Sequence, residues 1–466
     1  MTFLRGRRVA SACMMAAAVA AFAPSVASAK KAPKGSVCDG ASITGQGAAV
    51  AVGAQTLWTT QFSSVSNTNP YACSGSQGDK GTPTVGYYST SSGKGLASWG
   101  SGGSLVNDGP PASDGFSPTN AYLATEEAPN ASQASNIEAQ ESTPGSVTNT
   151  VLSIPTAVES INVIVNLPAG CTATSTSNPG RLVLDNVTLE KIFNGSITEW
   201  SEIKDNGDAL SGASCNANTE ITRVVRPDSA GTTHILKQYL NLINGNPLTT
   251  SSGSETWAEL SEGSLNTVWP TGSTPIISSA STGDNAEIKE VAATPSSIGY
   301  GSLSDVRLIT SFVPPSGGAG TATFWVPIQN NGINQKKEKY ADPASNGDVA
   351  AKATANCALT KFTNGKGTKF PPASVADQWD SVTTETKEKN YPLCGIVFDI
   401  ALGKYSAFPS ATAGEAQTVQ DYVNYSLSTA TGGGQTLLNS NDYEELPSKL
   451  LKESTSATAG VGLIGF

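Results

Sequence analysis

The sequence is poor in several residue types that would carry chemistry. It has one histidine, His234, and three methionines in 466 residues. A lone imidazole cannot build a multi-histidine metal centre, and it argues against histidine-based catalysis. Charged residues make up only 14%, and the basic ones are the minority, 28 Lys+Arg against 38 Asp+Glu. With no basic stripe to neutralise a phosphate backbone, nucleic acid is excluded as a partner. Aromatics are 7% of the chain. No internal run approaches the ~20 apolar residues that a membrane-spanning helix needs. There is no Gly-X-Y or heptad period, and Gly 47 with Pro 26 stays below disordered composition. What remains is a large, acidic, loop-rich globular chain of net charge −10.

The first residues read as an address. Arg5, Arg7 and Arg8 precede an apolar core from Met14 to Phe22, and Ala27-Ser28-Ala29 offers a small-x-small cleavage site before Lys30. Residues 1–29 are therefore expected to be a secretory signal, the core being too short for an anchor. Arg7-Arg8 raises a twin-arginine route, although the residues around it fit poorly. Cys13 lies inside the apolar core and Cys38 follows Gly35-Ser36-Val37, so no lipoprotein motif is present. The mature chain is expected to be periplasmic or extracellular, and more acidic by three lost arginines. An anionic ligand must then be drawn in by a local site rather than by net charge.

Cys38, Cys73, Cys171, Cys215, Cys357 and Cys394 remain after the signal. An even count in an exported chain suggests disulfides. Nearest-neighbour pairing would join Cys38–Cys73, Cys171–Cys215 and Cys357–Cys394, each closing a long loop, but the sequence leaves the connectivity open. Zinc is the competing reading, and the lack of any Cys-x-x-Cys or histidine cluster disfavours it.

Residues 30–42 look like a disordered lead-in. Strand-like segments start at Ile43, Pro83, Ile161, Ile221, Ile298 and Ile396, with helical patterns at 53–62, 188–193, 234–243 and 418–427. The apolar run from Ile161 to Leu167 has the length and composition of a buried parallel strand. The span 128–147 is polar and reads as loop. Strands alternating with helices predict α/β layers, and the length predicts two lobes.

Three turns share one design, in which a strand ends, small or hydroxyl residues follow, and a helix begins. They are Gly45-Gln46-Gly47-Ala48-Ala49, Ser91-Ser92-Gly93-Lys94-Gly95, and the block from Arg226-Pro227-Asp228 through Ser229-Ala230-Gly231-Thr232-Thr233. A helix N-terminus presents unpaired N–H groups and a partial positive charge, so it favours anions. Arg226 adds a permanent guanidinium that can grip an oxyanion bidentately. Singly these turns are mostly plain connections, and Arg226 beside Asp228 could be an ordinary surface pair. None ends in the Gly-Lys-Ser/Thr of a nucleotide-binding loop.

In this order, and together with Val165-Asn166-Leu167-Pro168, Leu189 through Ile197 with Trp200, Ser297-Ile298-Gly299-Tyr300, Tyr391-Pro392-Leu393 and Asp442 through Pro447, the chain resembles a known family. This is the periplasmic phosphate-binding protein of the phosphate ABC transporter, with the type II periplasmic-binding-protein fold. The resemblance runs from about residue 43 to about 452. It implies two α/β lobes, residues 43–155 with 391–466 and residues 156–390, joined by two crossing strands near 155–166 and 391–400. It also implies a cleft that takes inorganic phosphate or a similar oxyanion.

Carried over residue by residue, the ligand shell falls on Ser92 (with Ser91 the register alternative), Arg226, its orienting partner Asp228, Gly231 and Thr232. The acidic proton acceptor falls on Asp114 in Ala112-Ser113-Asp114, with Asn120 the poorer candidate. Two places depart from the pattern. Ala49 stands where a threonine is expected, leaving backbone N–H groups such as that of Val50, and Ala230 removes a second hydroxyl. Each lost hydrogen bond to a charged ligand is worth roughly 1.5–3 kcal/mol, so weaker binding or another anion is implied. The resemblance implies a monomeric binder without cofactor that serves a membrane permease and does no covalent chemistry. A secreted phosphoester hydrolase and an adhesion module without a transporter are the alternatives. His234 is expected to pack on its helix, and Lys94 to be solvated.

Overall fold

The computed structural model describes residues 38–73, 83–106, 120–140, 151–173, 182–205, 208–243, 248–250, 253–255, 257, 267–270, 277–278, 282–309, 323–330, 340–345, 352–357, 370–382, 390–408 and 410–466. The expected signal, most of the lead-in and Asp114 lie outside them.

Strand β1 (Ile43–Gly47) runs through a 3-10 turn (Ala49–Ala51) into helix α1 (Val52–Phe62). Strand β2 (Val85–Ser89) then lies parallel to β1, with Ile43 opposite Val85 and Gly47 opposite Ser89. Helix α2 (Ser92–Ser98) follows, capped by the Ser91 hydroxyl, which accepts from the Lys94 N–H at 3.3 Å. Strand β3 (Tyr122–Thr125) pairs parallel with β1 and is buried along its length. Helix α3 (Ala131–Glu138) falls inside the span expected to be loop. Its polar face misled the periodicity reading, while a capping box, in which Asn130 and Gln133 satisfy each other's backbone N–H, fixes its start.

Strand β4 (Val151–Asn166) is buried over all its 16 residues and organises the molecule. Helix α4 (Asn186–Asn194) ends, as its sequence predicts, at Gly195 with φ 84°. Strand β5 (Thr222–Val225) leads through the Arg226 turn to helix α5 (Gly231–Ile243), whose Leu236, Tyr239, Leu240 and Ile243 are buried. Then come β6 (Ile277–Ser278), helix α6 (Asp284–Ala293), β7 (Ser297–Ser302), helix α7 (Leu303–Leu308) and β8 (Thr323–Val326). Strand β9 (Cys394–Leu402), helix α8 (Ala413–Ser426), β10 (Tyr443–Glu444) and helix α9 (Ser448–Ser454) complete the framework.

The main sheet runs β6-β5-β7-β4-β9-β3-β1-β2, with β8 and β10 also paired to β4. Along β4 the partner changes. Val151 to Ser160 lies against β9, from Leu402 to Cys394, and Ile161 to Asn166 lies against β7, from Ser302 to Ser297. One continuous strand thus carries two arms of sheet, β9-β3-β1-β2 at one end and β7-β5-β6 at the other. All of these β4 pairings are antiparallel, which corrects the parallel reading of the Ile161 run. Unbroken apolarity reports burial of both faces, and a central antiparallel strand acquires that too when elements flank it on every side.

Two polar residues of β4 lock its surroundings. The Thr156 hydroxyl donates to the Val397 carbonyl at 3.1 Å, and Asn166 Nδ2 donates to the Val291 carbonyl at 3.0 Å. All three nearest-neighbour disulfides are present: Cys38–Cys73, Cys171–Cys215 and Cys357–Cys394. The last sits where the chain re-enters β9, beside Tyr391, whose hydroxyl donates to the Ile161 carbonyl at 2.8 Å.

Candidate functional site

The strand-to-helix turns of the two arms face each other. From the first arm come Ser92, at the start of α2, and Glu126, directly after β3. From the second come Arg226, at the end of β5, and Gly231 and Thr232, at the start of α5. The contact between the arms is direct, because the Gly93 N–H donates to the Ser229 carbonyl at 3.3 Å. A side chain at Gly231 would strike Ser92 Oγ and the Glu126 carboxyl, so only a glycine lets these three groups converge. The Glu126 N–H donates to Ser92 Oγ at 3.4 Å.

Arg226 is the cation of the site and is 2% exposed. Its Nε donates to Asp228 Oδ1 at 2.7 Å and its Nη2 to Asp228 Oδ2 at 2.5 Å, a bidentate fork that fixes the guanidinium plane. Nη1 pairs with Asp284 Oδ1 and donates to Thr232 Oγ1 at 3.4 Å. Burial alone would lower the Arg226 pKa, but the bond and charge of Asp228 raise it overall. The guanidinium therefore stays charged.

The surroundings are acidic. Burial pushes Glu126 up to about 8, against the pull of Arg226 and of the Thr232 N–H that its carboxyl receives. Glu159, on β4, is raised by burial and by its carboxyl contact with Glu126. Glu287, on α6, is raised by burial despite Arg226, and its Oε1 accepts the Tyr300 N–H at 3.3 Å. Burial thus favours the neutral form of all three carboxyls.

The structure brings Ser92, Arg226, Asp228, Gly231 and Thr232 into one place. Ala49 and Val50 lie in the 3-10 turn after β1. Ala49 lines, with Ser89, Lys94 and Asp284, a cavity of about 250 Å³ between the arms. The Val50 carbonyl accepts the Tyr443 hydroxyl at 2.5 Å. Ala230 is buried and donates its N–H to the Thr267 carbonyl at 3.0 Å, so this position serves the turn. Asn120, the alternative acceptor, precedes β3, where its carbonyl takes the Trp99 indole N–H at 2.9 Å. Two carboxylates escaped the sequence reading, Glu126 and Asp284. Glu126 was recoverable in principle, since Thr125-Glu126-Glu127-Ala128-Pro129 follows a strand as abruptly as the other turns do. Asp284 carried only the signal of a helix start after Gly283.

No curated protein matches the chain in sequence. Solved structures do match in shape. A phosphate-binding protein from Stenotrophomonas maltophilia superposes with TM-score 0.54 at 15% identity, covering 91% of this chain and 96% of that one. A human phosphate-binding apolipoprotein gives TM-score 0.55 at 16% identity, over 91% of this chain and 98% of that one. A high-affinity periplasmic phosphate-binding protein, solved with phosphate bound, gives TM-score 0.53 at 17% identity, over 91% and 96%. Identities this low establish the shared fold and nothing about the ligand. The family assignment comes from the sequence itself, which matches the PBP superfamily domain over residues 82–430, and the chain belongs to that superfamily.

Proposed function

We propose that the protein is an exported solute-binding protein that captures inorganic phosphate, or a closely related oxyanion, between the two arms of its sheet. The observation that carries this reading is the meeting of Ser92 with Arg226, Gly231 and Thr232 from opposite arms, at the N-terminus of a 13-residue helix. All three superposed proteins named above are phosphate binders by description. The two lobes would be residues 43–155 with 391–466, and residues 156–390. The partner change along β4 at Ser160 and Ile161 gives them a place to hinge.

Binding would hold the lobes together around the anion, and the closed monomer would present it to the permease of an ABC transporter. Residues 1–29 would direct export. Among the described residues no helix is long and apolar enough to cross a membrane. The role is capture and release without covalent chemistry. Asp114 remains the acidic acceptor that the resemblance proposes, and Glu126, which meets Ser92 and Gly231, is proposed as a second carboxyl facing the anion. Titration of the mature protein with phosphate, arsenate and sulfate tests the reading. Saturable phosphate binding at one site supports it, and no response to any of the three anions rejects it.

A further inference from the structure

The donors that would hold an oxyanion are engaged by the protein's own carboxylates. A guanidinium has five N–H groups. Asp228 takes two from Arg226, through Nε and Nη2, and leaves the Nη1 side facing the cleft. That side is taken by Asp284 Oδ1, and the same oxygen lies 3.2 Å from Thr232 Oγ1 as its acceptor. Asp284 therefore receives a guanidinium N–H and a helix-start hydroxyl, the pair of donors an oxyanion oxygen would use. Its second oxygen, Oδ2, is buried with no hydrogen-bond partner. An orienting residue would have both oxygens spent, as Asp228 has.

The position of Asp284 also suits displacement. It is the first residue of α6, preceded by Gly283 at φ 91°, and a side chain at Gly283 would meet nothing within 4 Å. The carboxylate borders the 250 Å³ cavity between the arms, on the side of Ala49 and Lys94. A change at the Gly283 joint can swing the carboxylate into that space while α6 stays packed through Ile288 and Val291.

Resting on the phosphate reading, we propose that Asp284 is an internal competitor for the anion: its carboxylate holds Arg226 and Thr232 in the empty protein and must leave before an oxyanion binds. Asp284 thereby sets affinity and screens ligands, because only an anion that gains more from Arg226 and Thr232 than the tethered carboxylate does can enter. Asp284→Asn keeps an acceptor for Arg226 but removes the competing charge. Asp228→Asn weakens the fork that orients the guanidinium. The two variants are expected to move in opposite directions.

Calorimetric titration with inorganic phosphate should show Asp284→Asn binding roughly tenfold to a hundredfold more tightly than wild type, the range of one charge-assisted contact. Asp228→Asn should bind more weakly. Asp284→Ala serves as a second variant should the amide disturb folding, with thermal melting in the absence of phosphate as the check. If Asp284→Asn and Asp284→Ala bind as wild type does, or more weakly, the competitor role is overturned while the phosphate reading stands. If wild type and all the variants fail to bind phosphate, it is the phosphate reading that fails, and the inference goes with it.

Discussion

The backbone N–H of Gly93 donates to the carbonyl of Ser229 at 3.3 Å, and this bond ties the start of α2 on one arm to the Arg226 turn on the other. A Cβ at Gly93 would overlap both Oγ and Cβ of Ser229. The arms are thus closed to hydrogen-bonding distance at the mouth of the site, and glycine is what permits the approach. Gly93→Val is expected to hold the arms apart. Small-angle scattering should show a larger radius of gyration than wild type in the presence of phosphate, and titration should show weaker binding. A variant with unchanged radius and affinity would mean that this contact does not govern closure.

On the proposed phosphate reading, Glu126 makes ligand selection depend on pH. Its pKa is pushed up to about 8 by burial, so below that pH the carboxyl holds a proton and can donate to phosphate or sulfate alike. Above it the ionised carboxylate only accepts. Hydrogen phosphate still supplies a proton, whereas sulfate meets an unpaired like charge. The preference for phosphate over sulfate should therefore grow as pH rises from 7 to 9. Glu126→Gln, which stays neutral, should lose that dependence. Competition titrations at several pH values check it, and a flat preference in wild type would remove Glu126 from the ligand shell.

Asp399 makes stability depend on pH. It lies in β9 and accepts from Gln55 Nε2 at 2.8 Å, while Gln55 Oε1 takes the hydroxyls of Tyr122 and Tyr422 at 3.0 and 2.7 Å. Burial raises its pKa to about 8, against about 3.9 in an unfolded chain. Between those values the folded protein holds one more proton than the unfolded one. Stability therefore falls as pH rises through this window, by up to about 1.4 kcal/mol per pH unit from this group. Asp399→Asn retains the acceptor for Gln55 and cannot ionise. Its stability in urea should decline less than wild type between pH 5 and pH 8. Parallel declines would show that Asp399 is already ionised in the folded protein over this range, as it is in the unfolded chain.

The Cys357–Cys394 bridge closes the chain next to the junction of β4 and β9. Replacing both cysteines by serine should lower stability by about 2–4 kcal/mol. Mass spectrometry of residues 30–466, produced under oxidising conditions and examined without reductant, should find no free thiol. Two or more free thiols per chain would contradict the disulfide framework.

The sequence disclosed the large periodic features and hid the local ones. The apolar face of α5 and the Gly195 stop were readable because each follows from spacing or from a single special residue, whereas the even cysteine count announced disulfides and left their pairing to the structure. The direction of β4 was not, since burial on both faces erases the alternation that separates parallel from antiparallel pairing. Arg226, Asp228, Gly231 and Thr232 were legible because they share one turn. Glu126 and Asp284 were not, because they reach Arg226 from turns distant in sequence, and only the fold brings their carboxylates to it.

The most direct test of the account is calorimetry of the mature protein with inorganic phosphate, run beside Arg226→Ala. The account predicts one site per chain in wild type and loss of most of the affinity in the variant, since the substitution removes the guanidinium that Asp228 orients at the site. Equal binding by the two proteins, or no binding by wild type, would contradict it.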